Sequence, residues 1–142
     1  MKIKNLIMGM AIIAGLMMPT IGNGQAEVVE SSCKKCFESP YVVTGRPFRA
    51  LLTGEETAEF NATLFSGTTY RIAAGSAGKS YIVLNVYDSE RNLLFTNKDF
   101  ENAPYWDFSV DGYLDCIVES KLDNTIQSSG FAIIITGFKL NE

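Results

Sequence analysis

The sequence predicts an all-β protein, an antiparallel β-sandwich of jelly-roll type with about eight strands. Runs of β-branched and aromatic residues alternate with turn-forming residues from Pro40 to the end of the chain. Several runs alternate apolar and polar side chains with a period of two, as half-buried strands do. No helical repeat covers ten or more residues after residue 26. Two packed sheets that each bury one face accommodate such strands most simply.

The predicted strands follow one another at short intervals. The run 57–64 alternates most clearly, with the even-numbered residues from Ala58 to Leu64 on one face. Asp111-Gly112 is a strong turn dipeptide. The last run is apolar on both faces, so we expect a central strand that is covered on both sides. In chain order the predicted strands are 46–52, 57–64, 69–74, 81–87, 93–95, 105–110, 113–120 and 131–140.

The parity of these strands predicts the residues of the core. Apolar side chains that recur at every second position share the face that packs against the other sheet. The predicted core residues are Phe60, Leu64, Ile72, Ile82, Leu84, Val86, Phe108, Leu114, Val118, Ile133 and Ile135.

The N-terminal region is typical of a secretory signal peptide. Lys2 and Lys4 precede an apolar run, 6–18, that is too short to span a bilayer but fits the hydrophobic segment of a leader. Small residues at Gly24 and Ala26 place cleavage after Ala26. The predicted organisation is a signal peptide at 1–26, an N-terminal tail at 27–39 and the β-sandwich at 40–142. We expect the tail to form at most one helical turn or to be disordered.

Export would place the protein in the periplasm, at the cell surface or outside the cell. The formal net charge of −4 falls to −6 when the leader is removed with its two lysines. This balance leaves no basic patch for a polyanion, so nucleic acid is not an expected partner. No second apolar run approaches membrane-spanning length, so the exported protein is not expected to be membrane-embedded. Nothing in the sequence indicates a cofactor or a bound metal.

The chain contains no histidine, which excludes Ser-His-Asp and Cys-His catalysis and all histidine-bearing zinc sites. Cys33 and Cys36 have the spacing of a redox motif, but the predicted fold lacks the helix N-terminus that such a motif uses. They are expected to form a disulfide or to stay reduced in the tail. Cys116 shares the parity of the core and is expected to be a free buried thiol. A competing arrangement is a Cys36–Cys116 bridge.

Acidic residues supply the main catalytic alternative. Glu55 and Asp107 are the candidates for a secreted hydrolase, because glycosidases use two carboxylates held a short distance apart. Acidic residues in loops are more often solvated than catalytic. Their oxygens also suit calcium, but the sequence shows no recognised calcium-binding spacing. The sequence therefore favours a protein without catalytic machinery.

Polar and aromatic residues on the strands suggest a binding surface instead. Tyr81, Asn85 and Tyr87 share one face of a predicted strand, and Arg71 is expected nearby. Tyr105 and Trp106 belong to the densest aromatic cluster. Trp106 is expected in the core, or on a sugar-binding surface if the faces are inverted. These residues favour a non-catalytic module that binds a carbohydrate, a peptide or another protein. The alternatives are the acidic hydrolase and a thiol redox protein that uses Cys33 and Cys36.

Several short stretches carry a resemblance to known proteins. They are ALLTGEETAEF at 50–60, TYRI at 69–72, YD at 87–88, NLLF at 92–95, YWDF at 105–108 and GFK at 137–139. Over about residues 30–140 the chain resembles a family of small exported bacterial β-sandwich proteins of unknown function. It is more loosely similar to the bacterial pre-peptidase C-terminal domain and to the GOLD domain. The resemblance implies a β-sandwich used for binding or secretion, and it assigns no role to any particular residue.

Overall fold

The computed structural model describes residues 23–77, 81–123, 125 and 128–142. The predicted leader lies outside these residues except for its last four, and so do Lys2, Lys4 and the apolar run 6–18. In the part of the chain that is described, no helix is long and apolar enough to span a bilayer.

Eight antiparallel strands and one N-terminal α-helix make up most of the described chain. A single turn of 3-10 helix joins two of the strands. The elements are α1 Asn23–Lys34, β1 Val42–Thr53, β2 Thr57–Phe65, β3 Thr68–Gly75, β4 Ile82–Asp88, β5 Leu93–Thr96, the 3-10 turn Asn97–Phe100, β6 Tyr105–Phe108, β7 Tyr113–Leu122 and β8 Ser129–Leu140.

The predicted jelly-roll sandwich is confirmed by the order of the strands. One sheet has the order β1-β8-β3-β6 and the other β2-β7-β4-β5. The first strand pairs with the last, the second with the seventh, the third with the sixth and the fourth with the fifth. The chain is thus one long hairpin that has been rolled into two layers, as in a jelly roll. A consequence is that neighbouring strands in sequence mostly lie in different sheets.

The core lies between the sheets and contains most of the predicted residues. Leu64, Ile72, Ile82, Leu84, Val86 and Val118 are buried there, and Phe60, Phe108 and Leu114 pack against them. Ile133 and Ile135 are also buried, but on the opposite face of β8. Their neighbours Ala132 and Ile134 fill the sandwich interior instead. The prediction that the last strand is central and covered on both sides is confirmed.

The cover on that outer face is α1 with the segment that follows it. The expectation of at most one helical turn after residue 26 is wrong, because α1 extends to Lys34. Val29 and Cys33 are buried against Ile133 and Ile135, and Ala26 packs at their side. Their spacing of three and four residues places them on one face of the helix. We call the sheet β1-β8-β3-β6 the helix-covered sheet and the sheet β2-β7-β4-β5 the open sheet.

Two glycines allow the N-terminal segment to lie directly on the helix-covered sheet. A Cβ at Gly75 would lie 2.7 Å from Cys33 Sγ and 3.2 Å from a Val29 methyl carbon. A Cβ at Gly137 would lie 2.6 Å from the Phe37 ring and from the carbonyl oxygen of Val42. Neither position has room for a side chain, so the packing depends on glycine at both.

A buried asparagine fixes the connection from the open sheet to the helix-covered sheet. Asn97, only 1% exposed, accepts a hydrogen bond from Leu84 N at 2.9 Å through its Oδ1. Its Nδ2 donates to the carbonyl oxygens of Ile82 at 2.9 Å and Ala103 at 3.3 Å. All the polar atoms of this side chain are therefore satisfied inside the protein, and the loop before β6 is held against β4.

The packing of α1 can be tested with a pair of substitutions. Gly75→Ala should lower the free energy of unfolding by about 1–3 kcal/mol, because the new methyl group overlaps Cys33 Sγ. Cys33→Ala removes that sulfur, so adding it to Gly75→Ala should recover part of the loss. Urea denaturation of the wild type, both single variants and the double variant measures this coupling. Strictly additive effects would show that the helix does not rest on Gly75.

Candidate functional site

The two outer faces of the sandwich differ in what covers them. The N-terminal segment packs on the helix-covered sheet, where α1 contacts β8 and β3. Along β2 the outward-facing residues from Thr57 to Phe65 are all exposed. The outer face of the open sheet is therefore exposed along β2, whereas Val83, which faces the same side on β4, is only 1% exposed.

The structure separates the residues that the sequence predicted to form one surface. Asn85 and Tyr87 lie side by side on the outer face of the open sheet. Tyr81 is exposed just before β4 begins. Arg71 does not lie near them, because it is on β3 in the helix-covered sheet, where its partners are different. Tyr105 joins Arg71 there, since β6 is the neighbour of β3.

Glu119 organises the polar side chains on the open sheet. Asn85 Nδ2 donates to Glu119 Oε1 at 2.9 Å, and the Tyr87 hydroxyl donates to the same oxygen at 3.4 Å. Burial, with the negative charge of Glu119 beside it, raises the pKa of Tyr87. Arg91, in the turn between β4 and β5, holds Glu59 of β2 through two hydrogen bonds of 3.0 and 2.7 Å. These bonds fix the orientation of the side chains before any ligand arrives.

A shallow groove of about 390 Å³ continues this surface along β2 and β7. Asn61, Thr63, Asp115 and Ile117 line it, with Ser89 at its side. The Thr63 hydroxyl donates to Asp115 Oδ1 at 2.7 Å.

Two exposed rings stand at the end of the groove. Phe65 and Tyr113 are partners in the register of β2 and β7, and they are 55% and 69% exposed. The sequence prediction missed these residues and Glu119. The period-two pattern of 57–64 placed Asn61 and Thr63 on the outer face, but it did not show that β7 lies beside them.

Arg71 is the centre of a separate cluster that fastens the N-terminal segment. Its guanidinium donates to both carboxylate oxygens of Asp107, at 2.7 and 2.9 Å, and to the carbonyl oxygen of Cys36. The Tyr41 and Tyr105 rings lie 3.9 and 4.4 Å from its central carbon. The Tyr41 hydroxyl also donates to Asp107 at 2.9 Å. Arg71 is thus occupied in holding the chain together, although one edge of the cluster meets solvent at Tyr105.

Trp106 faces the sandwich interior, as its parity predicts, and is half-buried. It belongs to a group that we call the aromatic seam, formed by Phe95, Phe100, Trp106 and Phe108 where β5 and β6 meet. The ring centroid of Trp106 lies 4.3 Å from that of Phe100 and 5.1 Å from that of Phe95. An open cavity of about 490 Å³ lies against residues 103–107.

The cysteines lie in two separate apolar clusters. Cys33 is in the last turn of α1, and burial raises the pKa of its thiol to about 11. Redox motifs of the thioredoxin type need a lowered thiol pKa instead, which comes from a position at a helix N-terminus. Cys116 is buried between the sheets, as predicted. The helix-covered sheet separates it from Cys36, so a Cys36–Cys116 bridge does not fit this fold. The three thiols are free in the structure, and a Cys33–Cys36 disulfide stays a prediction.

The carboxylates proposed for a hydrolase are far apart and locally engaged. Glu55 lies in the turn after β1, at one edge of the helix-covered sheet, and Asp107 is on β6 at the other. Three strand spacings of about 4.8 Å separate those edges, more than glycosidase carboxylates allow. Hydrogen bonding to Arg71 lowers the pKa of Asp107, whereas a general acid needs a raised one. Among the described residues, no three His, Cys, Asp or Glu side chains converge on a metal site.

The chain was compared with known proteins. No family model matches it, and no curated protein does. Among solved structures it is similar to PliG of Aeromonas hydrophila, a periplasmic inhibitor of g-type lysozyme. The sequence identity is 12% and the TM-score is 0.48, over 68% of this chain and 85% of that one. A likeness at this level carries no functional argument. The resemblance to pre-peptidase C-terminal and GOLD domains stays a prediction.

The Arg71 cluster predicts how stability depends on pH. Because Arg71 lowers the pKa of Asp107 in the folded protein, the pair stabilises the fold at neutral pH. That contribution is lost as the pH falls below about 4, through the folded-state pKa. Asp107→Asn should cost about 1 kcal/mol at pH 7, a modest value because solvent reaches a third of Asp107.

The measurement is urea denaturation of wild type and variant between pH 3 and pH 7, with Asp99→Asn as the control. The difference caused by Asp107→Asn should shrink as the pH is lowered, and at pH 7 it should exceed that caused by Asp99→Asn, because Asp99 makes no ion pair with a described residue. A difference that stays constant over the whole range would contradict the assignment of the ion pair.

Proposed function

We propose that the protein is an exported, non-catalytic binding module that holds a carbohydrate on the outer face of the open sheet. The observation that carries this proposal is a hydrogen-bonded polar surface on the open sheet, the sheet on which α1 does not pack. Surfaces of this kind, supported on strands rather than on loops, present their side chains in a fixed arrangement. The predicted leader would direct the module to the periplasm, to the cell surface or outside the cell.

The chemistry of the surface suits sugar hydroxyl groups, which both donate and accept hydrogen bonds. Asn85 and Tyr87 offer an amide and a phenol whose positions are set by Glu119. Asp115 uses one carboxylate oxygen to accept from Thr63, and no described residue bonds the other. Because these side chains are already held in place, little conformational entropy is lost when a ligand binds.

The two exposed rings supply the apolar part of the surface. Tyr113 and Phe65 are neighbours across β2 and β7 and project to the same side as Asp115. Flat rings of this kind cover the apolar C–H face of a sugar, while the tyrosine hydroxyl remains in water. The neighbouring groove of about 390 Å³ lies in the size range of small-ligand sites.

The charge of the surface favours a neutral sugar. Glu59, Asp115 and Glu119 outnumber Arg91 and Lys121 on this face, and Arg91 is paired with Glu59. A negatively charged glycan would be repelled at close range. A peptide ligand would have to be basic. Binding of a basic peptide is the test result that competes with binding of a carbohydrate.

The test begins with the mature protein on glycan and peptide arrays and continues with calorimetric titration of the glycan that binds. Asn85→Ala and Tyr113→Ala should each weaken binding about fivefold, since each removes a contact of about 1 kcal/mol. Tyr105→Ala is the matched control, because Tyr105 is an exposed tyrosine on the helix-covered sheet. It should leave the affinity unchanged.

Three results would contradict the proposal. Binding to peptides alone would assign the surface to a peptide ligand. A loss of binding in Tyr105→Ala but not in Tyr113→Ala would move the site to the helix-covered sheet. Turnover of the bound glycan that is abolished by Glu55→Gln or Asp107→Asn would support the hydrolase.

A further inference from the structure

An interruption in β1 opens the sandwich along the edge opposite the aromatic seam. The register of β1 against β8 shifts between Thr44 and Phe48. Gly45 adopts a φ of +67°, which few residues other than glycine tolerate, and Pro47 has no N–H to offer the ladder. The bulge leaves an open cavity of about 400 Å³ between β1, β2 and β8.

The inner wall of this cavity is apolar and reaches the core. Phe48 and Phe60, one from each sheet, stand with their ring centroids 5.2 Å apart. Ile134, which is 1% exposed, forms the floor. A cavity of this size with such a lining can hold a short alkyl chain, because ligand pockets begin at about 300 Å³ and are mostly apolar.

The mouth of the cavity is polar and carries a positive charge. Thr44 and Thr136 form its rim, with their hydroxyl oxygens 3.4 Å apart. Arg46 also lines the opening, and its exposed side chain makes no ion pair or hydrogen bond with any residue that the structure describes. Arg71, Arg49 and Arg91, in contrast, all have carboxylate partners. Arg46 is therefore available for an anion outside the protein.

We propose that this cavity binds a small amphiphile with an anionic head group and a short alkyl tail. The tail would lie against the Phe48 and Phe60 rings, and the head group would meet Arg46 and the two threonine hydroxyls at the rim. The net negative charge of the protein does not prevent this, since charges beyond about 8–10 Å are screened at physiological salt. The site lies at the edge of the sandwich and does not use the residues of the proposed carbohydrate surface.

The experiment titrates the isotopically labelled protein with decanoate, decanol and decyltrimethylammonium and follows the amide resonances by NMR. Decanoate should shift the resonances of Phe48, Phe60, Ile134 and Thr136, and should bind about fivefold more tightly than decanol. Arg46→Gln should remove that preference, and Arg46→Lys should retain most of it. Lys35→Gln removes another exposed charge that has no described partner, and should change nothing. Thr44→Phe should fill the mouth and block all three ligands.

Several outcomes would overturn the proposal. Decanoate could shift the aromatic seam at Phe100 and Trp106 instead, which would mean general apolar adsorption. Equal affinity for the three head groups would remove the role of Arg46. An absence of shifts around the cavity at saturating decanoate would show that the cavity does not bind such ligands. Failure of carbohydrate binding would leave this result untouched, because the two sites share no residue.

Discussion

Close contact between the N-terminal segment and two glycines determines which side of the sandwich is available to a ligand. At Gly75 and Gly137 the strands have no side chains, so α1 and Phe37 can lie against the backbone itself. That contact buries Ile133 and Ile135, which would otherwise be an exposed apolar patch on β8. One outer face of the jelly roll is thereby closed. The other outer face carries a hydrogen-bonded polar network that includes Asn85, Tyr87 and Glu119.

The contact depends in turn on a polar anchor. Arg71 joins Asp107 of the edge strand to the carbonyl oxygen of Cys36 and to the ring of Tyr41, so it holds together three parts of the chain that are distant in sequence. This explains why Arg71 is not free to bind a ligand, although an exposed tyrosine lies beside it. The packing of α1 against the sheet also raises the pKa of Cys33, because the thiol is desolvated there.

The sequence predicted what depends on local alternation and missed what depends on pairing at long range. Strand parity placed Leu84, Val86 and Val118 in the core correctly, and the two apolar faces of β8 indicated cover on both sides. Strand parity could not identify the segment that covers the outer face of β8, because Val29 and Cys33 are separated by polar residues and form a narrow apolar stripe. For the site, parity gave the outward faces of β2 and β4. It could not show that β7 lies between them, since that order follows from the rolled hairpin.

The most direct test of this account is the contact between Phe37 and Gly137 in solution. A nuclear Overhauser experiment on the mature protein should show cross-peaks between the Phe37 ring protons and the Gly137 α-protons, because the ring occupies the space that a Cβ would fill. The ring current should also displace the resonances of those α-protons. Absence of these cross-peaks, together with random-coil shifts over residues 27–37, would show that both faces of the sandwich are open and would contradict the account.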